Sequence, residues 1–289
     1  MINIEKIKIN KSIRDLLSFS IINIDKPSGP TSFAVSHLIK NLLKINKTSH
    51  FGTLDPAVSG VLPIGLGRAC RLSDYFMHRD KTYVGIMRLH AKVDEKFLTD
   101  VIKKFIGKIT QLPPLRSRVK RAERIREVKS FSIIESEGKD ILFETKVQAG
   151  TYIRKLIHDL GEQLGVGAHM LELRRIKAGI FDETTSNKLY ELEKAISAWK
   201  EGDEKPFRSL LIPAEIISTV LPIVNIKKQV VKKCLSGSPL FLDFLQDANE
   251  VKELQKDERF CVFNGEQFIG CFRYVGSEKI IARPEFVFN

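Results

Sequence analysis

Three patterns of hydrophobic and polar positions divide the chain. Apolar residues at helical spacing predict amphipathic helices within residues 31–43 and 151–164. Apolar residues that alternate with polar ones predict a half-buried strand within residues 141–149. From about residue 218, short apolar runs alternate with glycine and charged turns, a texture typical of a small β-rich domain. The chain is therefore expected to mix helices with strands and to end in a β-rich segment.

The change of hydrophobic pattern at about residue 218 predicts two domains, residues 1–218 and residues 219–289. Asn264–Gly265 lies between two apolar runs of the second domain, which is a strong signal for a β-hairpin. Residues 1–20 are expected to form a leader that packs on the body or on the C-terminal domain. The apolar contacts expected from this leader are Ile7, Ile9, Ile13, Leu16 and Leu17.

Local signals predict where the helices begin and end. Thr31 or Ser32 is the expected N-terminal cap of the first helix, and Thr151 is the expected cap of the second. The second helix is expected to end at Gly165, and residues 168–175 are expected to begin another short element.

The string HFGTLDP, residues 50–56, concentrates candidate chemistry in one tight loop. Pro56 fixes its own φ and pushes Asp55 out of the α region, so we expect the Asp55 carboxylate to be held on a stiff loop. An Asp-Pro pair taken alone is most often a turn and nothing more. A functional interpretation therefore depends on the surrounding strings.

The chain carries a formal net charge of +12 and a pI of about 9.5. This excess favours a polyanionic partner, nucleic acid first and an anionic membrane surface second, although a lysine-rich codon bias would also produce it. No long amphipathic basic helix supports the membrane alternative. Residues 116–129 carry seven cations against two glutamates. We predict that this stretch binds phosphates rather than forming a merely solvated face, with these cations as candidates: Arg116, Arg118, Lys120, Arg121, Arg124, Arg126 and Lys129.

Other classes of protein find little support in the sequence. The four cysteines are scattered without a C-x-x-C motif, and the six histidines form no metal-binding pair, so we predict reduced, mostly buried thiols and no metal. No apolar run approaches the ~20 residues needed to span a bilayer. The first eleven residues lack the apolar core of a signal peptide, which predicts a cytoplasmic protein.

Several strings together resemble the TruB-type pseudouridine synthases, over roughly residues 20–180 and in the order of that family. They are DKPSGPTSF, HFGTLDPAVSGVLPIG, KTYVG, QAGTYIRKLIHDLG and VGAHMLELRR. Two strings are more specifically similar to the archaeal and eukaryotic branch, that of dyskerin, which modifies RNA within box H/ACA ribonucleoproteins. These are PPLRSRVKRAERIREVKSF and GVGAHMLELRRIKAGIF.

The resemblance implies a pseudouridine synthase fold of the α+β class. A central mixed, mainly antiparallel sheet would be flanked by helices, and residues 219–289 would form a small PUA-like RNA-binding domain. The connection at residues 88–95 is short, whereas bacterial stand-alone enzymes carry a longer RNA-clamping insertion there. The branch therefore favours an archaeal catalytic subunit that depends on guide RNA, substrate RNA and the small protein subunits of the H/ACA ribonucleoprotein.

The resemblance also assigns roles within the site, and no cofactor is required. Asp55 would act at the sugar, either by covalent attack or by removing a proton. Arg154 would hold Asp55 ionised, and Tyr83 would stack on the flipped uracil. Leu173 would wall the pocket, although a plain core leucine is the alternative, and His50 would contact RNA or cap its own loop.

The predicted function is the isomerisation of specific uridines in rRNA or tRNA, directed by guide RNA. A stand-alone enzyme for the T-loop of tRNA is the first alternative, and a non-catalytic RNA-binding scaffold is the second. Phe51 stands where the family usually has a small residue, and nothing in the sequence explains it.

Overall fold

Two β-sheets organise the computed structural model of the chain, which describes residues 2–112, 122–277 and 279–289. The strands of these residues are β1 Phe19–Lys26, β2 Thr48–His50, β3 Ser59–Gly67, β4 Lys81–Leu89, β5 Gly107–Gln111, β6 Arg124–Glu137, β7 Asp140–Val147, β8 Ala168–Ala178, β9 Phe181–Asp182, β10 Ile212–Pro213, β11 Ile223–Asn225, β12 Arg259–Asn264, β13 Gln267–Tyr274 and β14 Ala282–Val287. The α-helices are α1 Ile4–Asn10, α2 Ile13–Ser18, α3 Ser32–Leu43, α4 Ser73–Met77, α5 Glu95–Phe105, α6 Ile153–Gln163, α7 Leu189–Lys200, α8 Lys205–Leu210 and α9 Val231–Leu235.

The larger sheet has the strand order β10-β1-β3-β8-β4-β7-β6-β5, with β2 paired to β3 and β9 paired to β8. Neighbouring strands are antiparallel except for β3 and β8, which run parallel over the short register Ser59↔Arg174 and Gly60↔Arg175. The predicted α+β fold, with a mixed and mainly antiparallel sheet flanked by helices, is confirmed. The parallel pair joins the strand after HFGTLDP to the strand that carries MLELRR.

The helices bury the predicted apolar stripes against this sheet. Thr31 caps α3 by accepting a hydrogen bond from the Ala34 amide, while Val35 and Ile39 on its inner face are buried. The prediction for the cap of α6 was wrong. Tyr152 is the N-cap residue, and the Thr151 hydroxyl donates instead to the Gln148 carbonyl. The remaining stripe of α6 is buried as expected: Ile153, Leu156, Ile157 and Leu160.

The strands also follow the sequence patterns, with one difference in length. Strand β7 alternates buried and partly exposed residues. It is joined to β6 by a turn at Gly138 and Lys139, where Glu137 pairs with Asp140. Residues 168–175 do not begin a short element. They belong to the eleven-residue strand β8, which lies in the middle of the larger sheet.

The second sheet has the order β11-β12-β13-β14. The hairpin expected near Asn264–Gly265 joins β12 to β13, with the register Asn264↔Gln267. Both sheets contribute to one buried cluster, in which the Phe19 ring stacks on Phe268 at a centroid distance of 5.2 Å. The division into domains at residues 218 and 219 stays a prediction.

The leader contacts both parts of the chain. Ile7, Ile13 and Leu16 are buried as expected. Ile9 is 72% exposed, so its expected contact was wrong. Lys8 donates to the Ser209 carbonyl, and Lys6 pairs with Glu266 at the turn of the second sheet.

The remaining composition-based expectations concern thiols, metals and membranes. The four cysteines are unpaired and buried. Over the described ranges, no group of three or more candidate ligands is arranged to hold a metal ion. No helix in those same ranges has both the length and the apolar character to cross a membrane.

Candidate active site

The loop that carries Asp55, residues 51–58 between β2 and β3, is clamped by the turn of residues 27–31 and the start of α3. The Gly29 amide donates to the Pro56 carbonyl at 2.8 Å. The Ser32 hydroxyl donates to the Leu54 carbonyl and accepts from the Leu54 amide, at 2.9 and 2.8 Å. These contacts explain why DKPSGPTS and HFGTLDP occur together, because the first string holds the second in place.

Lys26 supports this clamp from inside the protein. Its side chain is fully buried, and its ammonium group donates to the carbonyls of Pro27, Pro30 and Pro56 at 2.7, 2.8 and 3.1 Å. Burial lowers the Lys26 pKa, and the Asp55 carboxylate opposes that shift. Three carbonyls satisfy the three donors of an ammonium group, so Lys26 serves the loop rather than a phosphate.

The Asp55 carboxylate forms an ion pair with Arg154, with 2.6 Å between Oδ2 and Nη2. Arg154 lies in the first turn of α6, so the structure brings together two residues that are distant in sequence. Both side chains are half-exposed, at 50% and 61%. An exposed pair of this kind contributes only about 0–1 kcal/mol to stability. The importance of this contact therefore lies in the placement of a carboxylate beside a cation where both side chains are open to solvent.

Gln111 fixes the start of the helix that carries Arg154. The Gln111 side chain is 2% exposed and forms two hydrogen bonds with the backbone of Tyr152. Its carbonyl oxygen accepts from the Tyr152 amide at 3.0 Å, and its amide group donates to the Tyr152 carbonyl at 3.2 Å. Sequence analysis did not identify Gln111. The residue type of Gln111 carried no signal for a contact with the backbone of a residue 41 positions away.

Tyr83 and Leu173 lie on the neighbouring central strands β4 and β8. Tyr83 is partly buried against the main core, and Leu173 is 8% exposed. Leu173 pairs with Gly85, where a Cβ atom would lie only 2.9 Å from the Leu173 side chain. Because Arg174 pairs with Ser59, the loop of Asp55 returns to the sheet beside Leu173.

His50 and Phe51 hold the beginning of the loop. The His50 Nε2 atom lies 3.2 Å from the Thr53 hydroxyl oxygen, and burial followed by the charge of Arg175 lowers the His50 pKa. Phe51 is 1% exposed and stacks nearly parallel on Phe76 at a centroid distance of 5.4 Å. Its ring occupies the space beside Gly65, where a Cβ atom would come within 2.6 Å of it. Phe51 is therefore a core anchor for the loop.

Arg175 is a second residue that the sequence analysis missed. It is 1% exposed, and its guanidinium group donates from Nε to the Val61 carbonyl at 2.8 Å and from Nη2 to the Gly52 carbonyl at 3.0 Å. Its neighbour Arg174 pairs instead with Asp25 and Glu183. Successive residues of a strand point to opposite faces. The two adjacent arginines therefore lie on opposite faces of the sheet, Arg174 paired with carboxylates and Arg175 buried against the Asp55 loop.

Lys81 adds another buried cation beside Gly52. Its side chain is 5% exposed, and its ammonium group donates to the Met77 carbonyl at 2.6 Å and to the Arg79 carbonyl. Burial, and then the positive charge of Arg175, lower the pKa of Lys81 to about 8. The inner side of the loop is thus unusually positive for a protein interior.

The predicted phosphate-binding stretch is only partly within the described residues. Arg116, Arg118, Lys120 and Arg121 lie outside them. Arg124 and Arg126 belong to β6, where the Arg126 Nη1 atom donates to the Ile125 carbonyl at 2.9 Å. Lys129 pairs with Asp80 at 2.7 Å, so this cation has an intramolecular partner.

A second concentration of positive charge lines a groove between the larger sheet and β14. The groove has a volume of about 1090 Å³ and contains one acidic lining residue, Glu285. The Arg68 guanidinium group at its edge donates to the Val287 carbonyl at 2.8 Å. The cations that line the groove are Arg14, Lys44, Lys47, Arg68 and Arg71.

Comparisons with known proteins agree with the resemblance drawn from the sequence. Residues 40–97 match the TruB family pseudouridylate synthase N-terminal domain, residues 154–218 match the tRNA pseudouridylate synthase B C-terminal domain, and residues 69–173 match the Pus10 C-terminal family. The chain is 45% identical over 232 residues to a probable tRNA pseudouridine synthase B of Nanoarchaeum equitans, covering 80% of this chain and 66% of that protein. It is 43% identical to a probable tRNA pseudouridine synthase B of Methanothermobacter thermautotrophicus, covering 80% of this chain and 71% of that protein.

Two solved structures are similar over nearly the whole chain. One is a chain of a Cbf5–Nop10–Gar1 complex, with a TM-score of 0.89 and 38% identity over 98% of this chain and 88% of that chain. The other belongs to an H/ACA ribonucleoprotein bound to a substrate RNA that contains 2′-deoxyuridine, with a TM-score of 0.87 and 35% identity over 98% and 89% of the two chains.

Proposed function

The chain belongs to the TruB family of pseudouridine synthases, and we propose that it isomerises specific uridines of RNA under the direction of a box H/ACA guide RNA. The observation that carries this proposal is the solvent-accessible ion pair of Asp55 and Arg154, formed on a clamped loop. A scaffold that only binds RNA has no need for a carboxylate held beside a cation in this way.

The reaction breaks the bond between uracil N1 and the sugar C1′ atom and forms a bond between C5 and C1′. One proton leaves C5 and one is gained at N1, so no redox step occurs. The target base must first leave its stack. Asp55 then acts on the sugar, as a nucleophile or as a base, and the ion pair with Arg154 holds its carboxylate in place for either role. Tyr83 stacks on the flipped uracil, an interaction worth about 1–3 kcal/mol, while Leu173 forms the apolar wall of the pocket.

RNA binding is supported by the charge distribution. Cations that neutralise phosphates release counterions, which drives binding in a salt-dependent way. The cation-lined groove beside β14, together with Arg124 and Arg126 on β6, would supply such contacts. His50 lies at the start of the loop and would reach RNA near the flipped base. The cytoplasmic location stays a prediction.

Guide dependence is supported by the likeness to the chain of the Cbf5–Nop10–Gar1 complex, which covers 98% of this chain. By analogy with that complex, small protein subunits would bind this chain and place the guided uridine. A stand-alone enzyme for tRNA is the second candidate, because the relatives named above are described as probable tRNA pseudouridine synthases B.

An activity assay separates these two candidates. The purified chain is incubated with naked tRNA, and separately with a target RNA in the presence or absence of a matching H/ACA guide RNA and the small protein subunits. We expect pseudouridine in the guided reaction and little in the reaction without a guide. Full activity on naked tRNA without a guide would establish the stand-alone enzyme instead. The Asp55→Asn variant is the inactive control in every reaction. Asp140→Asn is the matched active control, because Asp140 is a partly exposed carboxylate on β7 that also pairs with an arginine, Arg88.

A further inference from the structure

The loop of Asp55 has a glycine hinge at each end. Gly52 has φ +112° and Gly60 has φ +104°, a backbone region that other residues rarely adopt. Glycine crosses this region easily because it has no Cβ atom. Rotation at either hinge would move the segment between them, and with it the Asp55 carboxylate. Pairing with Lys26 of β1 restrains Gly60 on one side, and a contact that links Gly52 to this strand would further fix the position of Asp55 relative to Arg154.

Arg175 supplies a restraint at both ends. Its Nη2 atom donates to the carbonyl of Gly52, at the first hinge, and its Nε atom donates to the carbonyl of Val61, directly after the second. Its backbone pairs with Gly60 in the parallel register of β3 and β8. A Cβ atom at position 60 would lie 2.2 Å from the Arg175 carbonyl oxygen, which shows how closely the two chains approach.

The buried surroundings of Arg175 are unfavourable for a charged side chain. It is 1% exposed, and no residue of the described ranges forms an ion pair with it. Its charge instead opposes protonation of the buried Lys81. Burial of an unpaired charge is costly unless hydrogen bonds compensate. The compensation here comes from the carbonyl of Gly52 in the Asp55 loop and the carbonyl of Val61 in β3. The buried guanidinium group therefore needs these two carbonyls, and the two segments are held together by the guanidinium group.

A lysine could not replace this geometry. The guanidinium group is a rigid planar fork whose donors point in fixed directions, so it can reach two carbonyls at once. An ammonium group on a flexible stem is a compact point charge and lacks this fork.

We propose that Arg175 is a positioning residue for catalysis, which locks both hinges of the loop and so holds Asp55 in its productive position beside Arg154. This inference rests on the proposed function. Arg175 reaches the reacting atoms only through the loop, so its loss should slow the chemical step and leave RNA affinity nearly unchanged. A displacement of about 1 Å in a reacting group can cost about 100-fold in rate.

The first test compares Arg175→Lys and Arg175→Ala with Arg88→Met, a control on the exposed part of β4. Single-turnover rates are measured with the guided complex in excess over RNA, and dissociation constants are measured in parallel. We expect both Arg175 variants to lose about 100-fold in rate, with RNA affinity changed by no more than a few-fold. Added methylguanidinium should restore part of the rate of Arg175→Ala and have no effect on Arg88→Met. A wild-type rate for Arg175→Lys would overturn the proposal.

The second test does not require activity. Hydrogen exchange is followed in peptides that cover residues 50–61, where the Leu54 amide bonds to Ser32 and the Val58 amide bonds to the Asp55 carbonyl. We expect these amides to exchange faster in Arg175→Lys than in the wild type, with α3 unchanged. Unchanged exchange in the loop would overturn the positioning role. If the wild type made no pseudouridine while the exchange effect was present, the proposed function would fail and the positioning of Asp55 would stand.

Discussion

Two arginines contact the loop of Asp55, one on its solvent side and one on its core side, and their surroundings differ completely. Arg154 is 61% exposed and pairs with the carboxylate itself. Arg175 is 1% exposed and binds backbone carbonyls at both ends of the same loop. In the proposed mechanism, the solvent side of the loop carries the chemistry, and the core side carries the geometry on which that chemistry depends.

The two sides should therefore respond differently to mutation. An exposed ion pair is screened by water, so its removal changes stability little. A buried aromatic ring or buried cation is tightly packed and desolvated, so its removal changes stability by several kcal/mol. On the solvent side, substitutions should lower the catalytic rate and leave stability nearly unchanged. On the core side, they should lower both the catalytic rate and stability.

The largest effect is expected for Asp55→Asn, on the solvent side. Loss of a residue that takes part directly in bond making costs about 10⁴-fold or more in rate. The carboxylate is half-exposed, so the free energy of unfolding should change by less than about 1 kcal/mol. Pseudouridine content, RNA affinity and urea denaturation are measured on the same preparation. Retained isomerisation would remove Asp55 from the catalytic role.

The next effect is expected for Phe51→Ala, on the core side. Removal of a buried phenylalanine costs about 3–5 kcal/mol, because the cavity next to Phe76 and Gly65 closes only partly. Urea denaturation measures this loss. Phe51→Leu is the matched control and should lose clearly less. A stability close to that of the wild type in Phe51→Ala would mean that the ring does not anchor the loop.

A smaller effect is expected for Arg154→Met, again on the solvent side. Loss of one electrostatic contact to a reacting group typically costs about 10²–10³-fold in rate. Stability should change by about 1 kcal/mol or less, since the pair is exposed. The single-turnover rate and the urea midpoint together check this prediction. A stability loss as large as that of Phe51→Ala would break the comparison between the two sides.

The smallest effect is a pH dependence of stability from Lys81. Its pKa is lowered to about 8 in the folded chain from an ordinary value of 10.5, mainly through burial. Between these values the unfolded chain binds the proton and the folded chain does not, so the free energy of unfolding rises with pH. The free energy of unfolding of the wild type minus that of Lys81→Met should increase by about 3 kcal/mol across this window.

Urea denaturation between pH 7 and pH 10.5 measures this difference, and the subtraction removes the titration of other groups. Lys103→Met on the exposed side of α5 is the matched control, which removes a surface lysine instead of a buried one. A flat curve for Lys81→Met would mean that the core side of the loop is less desolvated than its burial indicates.

Most of the fold could be predicted because it follows local periodicity. The stripe of α3, the alternation of β7 and the hairpin of β12 and β13 are all short-range patterns, and all are found. Ile9 was misjudged because residues two apart on a helix point in nearly opposite directions, so Ile7 is buried and Ile9 is exposed on α1. The length of β8 was missed because its arginines and glutamate weaken the apolar signal of a central strand.

Short-range patterns predicted only some residues of the candidate site. Asp55, Arg154, Tyr83 and Leu173 could be named from short strings. Arg175 and Gln111 could not, because each acts on the backbone of a segment far away in sequence. Backbone carbonyls and amides are present in every residue, so no residue type marks them as partners.

The sequence by itself determined that the Asp55 loop is stiff and that Asp55 is the candidate catalytic carboxylate. Both follow from local features, the Asp-Pro pair and the short motifs shared with the family. The tertiary structure decided that the Phe51 ring packs on Phe76 and that Arg175 binds the carbonyls of Gly52 and Val61. These contacts depend on strand order, because β8 is far from β3 along the chain and adjacent to it in the sheet. Such proximity follows from packing of the whole sheet, which no short segment encodes.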